Sequence, residues 1–416
     1  MGSVPDQTIA VADRPPARSW LIPAVLMLAS TVSILATDLY TPSLPRLTEV
    51  FGRSAETVQL TMTCNLAGFA FGQLLFGPLS DRFGRRPSML MGLTLFCLFS
   101  VLCAQAWSIE SLIAFRVFQG IAAACEAVIG FAVIKELYGE AEGVKVVAIY
   151  SMVIAAAPAL GPVLGGQMLV QFGWESNFWL LGGLALLALA ACWRFLIETG
   201  RPDRTALRPT RLLAEAHATL RVPAFWLYTV GPAASLGGLF AYVTEGPFVF
   251  IRQMGIPAEE FGYYHGTIVG IFFATNLLVN RLSERVSGNT LLRCGSVLAL
   301  AGGGLAVVLV ASATASPWSL VMALGLFVSS LALIYAVAPL KALRSTTAAT
   351  GMAASWRGCL EMCGAIAGSA GVMALHDGTL WPLAILLAVS ALVVVAGDVG
   401  ARRTSRSAEL SVSSTS

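Results

Sequence analysis

Six charged residues stand deep inside otherwise apolar stretches: Asp38, Arg116, Glu126, Glu245, Arg357 and Glu361. An ionised side chain in hydrocarbon costs at least a few kcal/mol, so each must face a cavity or a partner. Burial raises the pKa of a carboxyl group and a nearby cation lowers it. A carboxyl held between those influences can take up and release a proton. Asp38 has that character, and its second reading is a helix-end cap, because Pro42 follows closely. Arg116 lies roughly 9 Å into its run and Asp38 roughly 27 Å up from the other side, at 1.5 Å per residue. In a core about 30 Å thick, helix tilt and a long side chain cover the difference. A direct or water-bridged Asp38–Arg116 pairing is therefore expected, against a snorkelling arginine.

Glu126 follows Arg116 by ten residues, so the two directions differ by about 80° and both can border one cavity; the other reading is a structural Glu paired elsewhere. Arg357 and Glu361 are one turn apart and can pair, in a self-satisfied contact or in a gate. Glu245 precedes Gly246 and Pro247 and could attract cations at a pocket mouth. Tyr40, Phe118, Phe240, Tyr242 and Trp356 fall at depths where a central cavity would lie. With Glu245 and Arg357 they would line an adaptable, mostly apolar pocket for lipophilic neutral or cationic small molecules. His217, His265 and His376 are assigned no proton role. No nucleotide loop, metal spacing, cofactor motif or nucleophile–base set is present, which argues against an enzyme. The eight cysteines sit in or beside apolar runs and read as small packing residues.

The elements that position these residues follow from composition. The 416 residues are 56% hydrophobic and 12% charged, against about 25% charged in an average soluble domain. Apolar runs near 20–42, 57–79, 87–107, 109–134, 146–169, 177–198, 222–251, 260–280, 290–312, 317–339, 349–375 and 380–398 are long enough to cross a bilayer. Lipid excludes unpaired backbone, so each run reads as helix, giving an all-α membrane protein. Residues 1–19 read as a cytoplasmic tail and not as a cleaved leader. Residues 199–221 form an Arg-rich cytoplasmic linker with room for a short surface helix. Residues 399–416 read as a disordered cytoplasmic tail.

Orientation follows from Lys and Arg. With the N-terminus inside, about 21 of them fall in inside segments and 3, Arg46, Arg53 and Arg252, in outside ones. Twelve helices with both termini cytoplasmic fit this alternation. The chain also repeats: FAFGQLLFGPLSDR at 69–82 is echoed by FFATNLLVNRLSER at 272–285. That divides it into six-helix halves, 20–198 and 222–398, related by a pseudo-two-fold along the membrane normal.

GPLSDRFGRRP at 77–87 resembles the loop 2–3 signature of the major facilitator superfamily. IAFRVFQG at 113–120 resembles the helix 4 motif with its buried Arg. APALGPVLGG at 157–166 resembles the helix 5 antiporter motif, with Ala157 in place of its first Gly. TDLYTPSLP at 37–45 resembles the helix 1 acidic motif of drug–proton antiporters. GPFVFI at 246–251 and FGYY at 261–264 point to the bicyclomycin and chloramphenicol resistance subgroup. The resemblance implies proton-coupled export of small amphipathic drugs from a bacterial inner membrane, by a monomer in contact with lipid and no nucleic acid. A runner-up is export of an endogenous metabolite or sugar by the same exchange.

The resemblance also assigns roles. Asp81, Arg82, Gly84, Arg85 and Arg86 would be a charge latch on the inner gate; the plainer reading is a positive cluster that sets topology. Gly161, Pro162, Gly165 and Gly166 would let helix 5 hinge and seal against leak; the plainer reading is close packing. Asp38 and Arg116 would couple the proton. Multidrug members of the subgroup carry a second acid about two turns before the helix 1 Asp. Here that neighbourhood is Leu28, Ala29 and Ser30, and Glu126 could supply the acid from helix 4.

Overall fold

The computed structural model describes residues 20–138, 140–200, 202–203, 208–283, 285–346 and 350–413. The tail 1–19, Arg201, Arg204 and Glu284 lie outside them. The first half holds α1 (Leu21–Asp38), α2 (Leu44–Phe51), α3 (Ala55–Phe83), α4 (Arg85–Ala104), α5 (Ile109–Leu137), α6 (Glu140–Phe172) and α7 (Glu175–Phe195). A surface helix, α8 (Pro209–Leu220), occupies the linker. The second half holds α9 (Pro223–Pro247), α10 (Ala258–Leu282), α11 (Gly288–Ala311), α12 (Pro317–Tyr335), α13 (Ala338–Arg344), α14 (Thr350–Leu375) and α15 (Trp381–Ser413). Twelve of these have 18 residues or more among the described residues. Ten spans are long and apolar enough to cross a membrane; α6 and α10 complete the twelve.

Within the first half α3 packs on α5, α5 on α4, and α1 on α6 and α7. In the second, α9 packs on α14 and α15, and α11 on α12 and α15. The halves meet along α3 against α14 and α6 against α10. Numbered by long helix, these are 2 against 11 and 5 against 8, which exchange under a two-fold axis. The repeated stretches lie in α3 and α10, equivalent positions of that symmetry.

Small residues let backbones close up, because hydrocarbon gives helices no solvent-driven reason to associate. A side chain on Gly68 of α3 would strike the Val117 carbonyl of α5, and one on Gly120 of α5 would strike the Asn65 carbonyl of α3. Asn65 Nδ2 then donates to the Arg116 carbonyl at 2.9 Å.

Two elements differ from the sequence reading. The first apolar run is not one helix: α1 stops at Asp38, a single turn covers Thr41–Ser43, and α2 resumes at Leu44. Pro42 and Pro45 each lack an N–H to carry the helical ladder through. Such a break is tolerated at membrane depth only where protein covers it. Residues 399–413, read as part of a disordered tail, continue α15 as helix to Ser413. Beyond Gly400 no Gly or Pro interrupts the segment, and extending an existing helix avoids the cost of nucleation.

The glycine packing is testable. Gly120→Val should destabilise the protein by at least ~1–3 kcal/mol through overpacking. Gly304→Val, with open space around it, should melt like the parent. Thermal melts of both purified variants in detergent check this, and equal melts would remove the packing argument.

Candidate functional site

Asp38 is the last residue of α1 and is 6% exposed. It is thus both a helix end and a buried acid. The wall over it is α6. A Cβ on Gly161 would come 2.9 Å from the Asp38 Cβ, and one on Gly165 would strike the Leu39 carbonyl. One residue on, a Cβ on Gly166 would lie 2.6 Å from the Ala258 carbonyl of α10. Gly262 of α10 returns the contact against Pro162 and Val163. The glycines therefore press α6 onto the acid of their own half and onto the facing helix of the other, and α6 stays continuous through Pro158 and Pro162.

Arg116 is fully buried. The direct pairing with Asp38 is not formed. Arg116 Nη1 instead donates to the Ala36 carbonyl (2.9 Å) and to Gln119 Oε1 (2.6 Å). Ala36 lies in the last turn of α1, where carbonyls lack helical partners and the dipole is negative. Nε and Nη2 have no hydrogen-bond partner among the described residues. The guanidinium lies 4.3 Å from the Tyr40 ring centroid and 5.8 Å from that of Phe178, attractions worth about 0.5–2 kcal/mol. Tyr40 is thereby committed to the first half's core, its hydroxyl 3.0 Å from Thr61 Oγ1, and is not a cavity wall.

Glu126 is 3% exposed. Its Oε1 accepts from the Tyr150 hydroxyl of α6 at 2.6 Å and from the Ser30 hydroxyl of α1. Gly130 makes room: a Cβ there would come 2.6 Å from Tyr150 Oη. Ser30 belongs to the 28–30 stretch of α1 that lacks the expected acid, and the Glu126 carboxyl is placed against it from α5. Tyr150 was not foreseen; its only sequence signal is a lone tyrosine in an apolar run.

The 77–87 cluster closes on its own half. Gly84 takes φ +100°, which side chains rarely adopt, and a Cβ there would strike the Glu198 carboxylate. That carboxylate accepts from Arg85 N (2.8 Å) and Arg86 N (3.2 Å), filling the first turn of α4, where a negative charge suits the dipole. Asp81 lies within α3 and pairs with Arg85 (2.7 Å), which also pairs with Glu136 (2.9 Å). Arg86 donates to the Trp193 carbonyl at 2.7 Å. Arg82 lies over the Phe83 ring. Glu136 and Glu198 were missed, although each stands at the polar end of an apolar run.

Glu245 is fully buried, with both oxygens taken: Gln59 Nε2 of α3 donates to Oε2 at 2.6 Å, and His376 Nδ1 stands 2.8 Å from Oε1. This replaces the open cation-attracting mouth. Arg357 and Glu361 form their pair, and the Tyr335 hydroxyl also reaches Glu361. Tyr242 is buried, with its hydroxyl 3.1 Å from His265 Nδ1. Phe240 and Trp356 are half-buried. Phe118 is 50% exposed and stacks on Phe99. Two residues, about 200°, separate it from buried Arg116, so it faces away from the bundle. Among the described residues no group of three His, Cys, Asp or Glu is placed for a metal ion.

Residues 26–372 match the Major Facilitator Superfamily. The chain belongs to that superfamily. A chloramphenicol resistance protein of Pseudomonas aeruginosa is 31% identical over 379 residues, covering 89% of each chain. A bicyclomycin resistance protein homolog of Haemophilus influenzae is 30% identical over 361 residues, covering 86% of this chain and 89% of that one. A solved D-xylose–proton symporter superposes with a TM-score of 0.71 at 16% identity, over 90% of this chain and 96% of its own. That last likeness concerns the fold alone. A major facilitator chain with many apolar spans is a multi-pass membrane transporter and not an enzyme, and the subgroup read from the motifs agrees with these relatives.

In this transporter one nitrogen of Arg116 makes both hydrogen bonds, while the planar guanidinium lies over the Tyr40 ring in a way that a compact ammonium does not match. Arg116→Lys keeps the charge but loses the contact with the ring. It should lower stability by about 0.5–2 kcal/mol, read as a lower melting temperature. A parental melt would mean that the charge alone suffices.

Proposed function

We propose that this transporter exports small amphipathic drugs, of the kind its relatives are named for, in exchange for protons and by alternating access. The observation that carries the reading is the pair of buried carboxyls in one half, Asp38 at the end of α1 and Glu126 set against Ser30 of α1. Neither has a cation bonded to it among the described residues. A carboxyl so placed is costly to ionise in hydrocarbon, so it holds a proton while the site is closed. It gives the proton up when a substrate or water can support the charge. Drug arrival and proton departure are then linked through one site. Arg116 holds the end of α1, and with it the position of Asp38, through the Ala36 carbonyl. Phe240 and Trp356, both half-buried, are the foreseen aromatics left to line an apolar pocket for lipophilic substrates.

The arginine-rich end faces the cytoplasm on this reading, since basic residues are retained there. Both termini are then inside a bacterial inner membrane, with twelve crossings and one chain as the working unit, surrounded by lipid. The 77–87 cluster acts in switching: its ion pairs, now within one half, can be exchanged for partners on the other when the cytoplasmic end closes.

Asp38→Asn fixes that site neutral. It should abolish proton release on adding chloramphenicol to purified protein in weak buffer, and Glu126→Gln should reduce it in part. Parental release from Asp38→Asn would move the coupling proton elsewhere.

Asp81→Asn removes an ion pair whose carboxylate is half exposed, worth at most about 1 kcal/mol to stability. Transport in vesicles should nonetheless fall by about tenfold or more, equal to ~1.4 kcal/mol in the switching barrier, with drug affinity kept. Parental transport would reduce the cluster to a topology signal.

A further inference from the structure

The two halves carry the same polar pairing at equivalent places. In the first, the Tyr150 hydroxyl of α6 donates to Glu126 of α5. In the second, the Tyr335 hydroxyl of α12 donates to Glu361 of α14. Counted by long helix, α5 and α12 are 4 and 10, and α6 and α14 are 5 and 11, so the members of each pair exchange under the two-fold axis. The depths agree as well. At 1.5 Å per residue, Glu126 lies roughly 26 Å along α5 and Tyr335 roughly 27 Å along α12. Tyr150 lies roughly 15 Å along α6 and Glu361 roughly 16 Å along α14. Carboxyl and phenol have exchanged helices, yet each half joins its fourth long helix to its fifth through one of each.

The difference lies one turn away. Four residues before Glu361 stands Arg357, which pairs with it. Four residues before Tyr150, at the same place on α6, stands Val146, which is apolar and buried. Glu126 thus has the hydroxyls of Tyr150 and Ser30, and no cation bonded to it among the described residues. Glu361 has one hydroxyl and a guanidinium. Arg357 and Tyr335 are the charged and titratable groups that act on it among the described residues; neither α3 nor α9, both packed on α14, adds another.

We propose that Glu361 and Tyr335 are the second half's copy of the Glu126 proton site, and that Arg357 occupies this copy in the proton's place. A guanidinium is not deprotonated in a protein. Glu361 beside it stays ionised, and the pair is neutral as a unit without a proton. A buried carboxyl without a cation is instead made neutral by taking up a proton, because an unpaired charge there is too costly. One geometry therefore holds a proton in the first half and a fixed ion pair in the second. The Arg357 side chain is 21% exposed and that of Glu361 6%, so the cation keeps some access to polar surroundings while the carboxylate depends on its partner. The proposal deepens the export reading and, for its consequence in transport, rests on it: the coupling proton is confined to the first half, and the second passes through the cycle with its charge unchanged. Arg357 then sets how many protons are exchanged, acting through Glu361.

The test reads protonated carboxyl groups directly. Their C=O stretch is distinct from that of carboxylates in the infrared, and it is recorded on the purified full chain at neutral pH. Glu126→Gln should remove one such band. Glu361→Gln should remove none, because its carboxyl is ionised. Arg357→Met should add one, about as large as the band that Glu126→Gln removes, and Arg357→Met combined with Glu361→Gln should lose it again. That double variant exchanges a buried ion pair for neutral groups of similar size and should melt near the parent. A protonated-acid band lost in Glu361→Gln, or no added band in folded Arg357→Met, overturns the proposal. Should Arg357→Met fail to fold, Glu361→Gln still decides, since it asks whether the carboxyl of the parent carries a proton. Proton release by the parent on adding chloramphenicol separates the two readings: its absence would sink proton-coupled export and leave the charge assigned to Glu361 standing.

Discussion

Hydrocarbon offers a charged or polar group no water, so protein must meet every such group inside the membrane. Arg116 shows what this demands. Its guanidinium is met by an unpaired carbonyl at the end of α1, by Gln119 and by the Tyr40 ring. The carbonyl is available only because α1 stops at Asp38. The helix break, the buried cation and the position of Asp38 are therefore one arrangement. Glu126 and Glu245 follow the same rule with neutral donors: Tyr150 and Ser30 for one, Gln59 for the other.

A second constraint is close approach. Gly161 and Gly165 bring α6 onto Asp38 and Leu39, while Gly166 and Gly262 bring it onto α10. One helix thus touches both the acid and the opposite half. On the export reading, a rocking motion of the halves would change the surroundings of Asp38 directly through these contacts.

The two ends of the bundle are built differently. At the arginine-rich end, Asp81, Arg85, Glu136 and Glu198 bond to one another and to α4 within the first half. At the other end, Gln59, Thr63, Thr48 and Pro45 bond to residues of the second half. Bonds inside one half move with it as a rigid body, whereas bonds between halves must break for the end to open. On the export reading, this is a carrier closed toward the outside, with the cytoplasmic cluster free of the cross-half partners it takes up in the other state.

Much of this was legible in the residues. Apolar runs of about 20 residues with basic ends leave few alternatives to membrane-crossing helices. The repeat at 69–82 and 272–285 exposed the two halves, and buried charges stood out against an apolar background. Partner choice was not legible, because it depends on which helix faces which at a given depth. Depth alone paired Asp38 with Arg116, whereas the α1 break gave Arg116 a carbonyl. Glu198 is remote in sequence from Gly84, yet it fills the turn that Gly84 opens. Phe118 shares its depth with Arg116 but, two residues on, points away. His376 lies in a loop segment, and only the fold brings it to Glu245. Sequence by itself determined the helices, their alternation and the residues too costly to leave unpartnered, since hydropathy and charge act locally. Tertiary structure alone decided the partners, because a hydrogen bond needs two groups within about 3 Å, and helix rotation, a break or a glycine contact moves them by more than that.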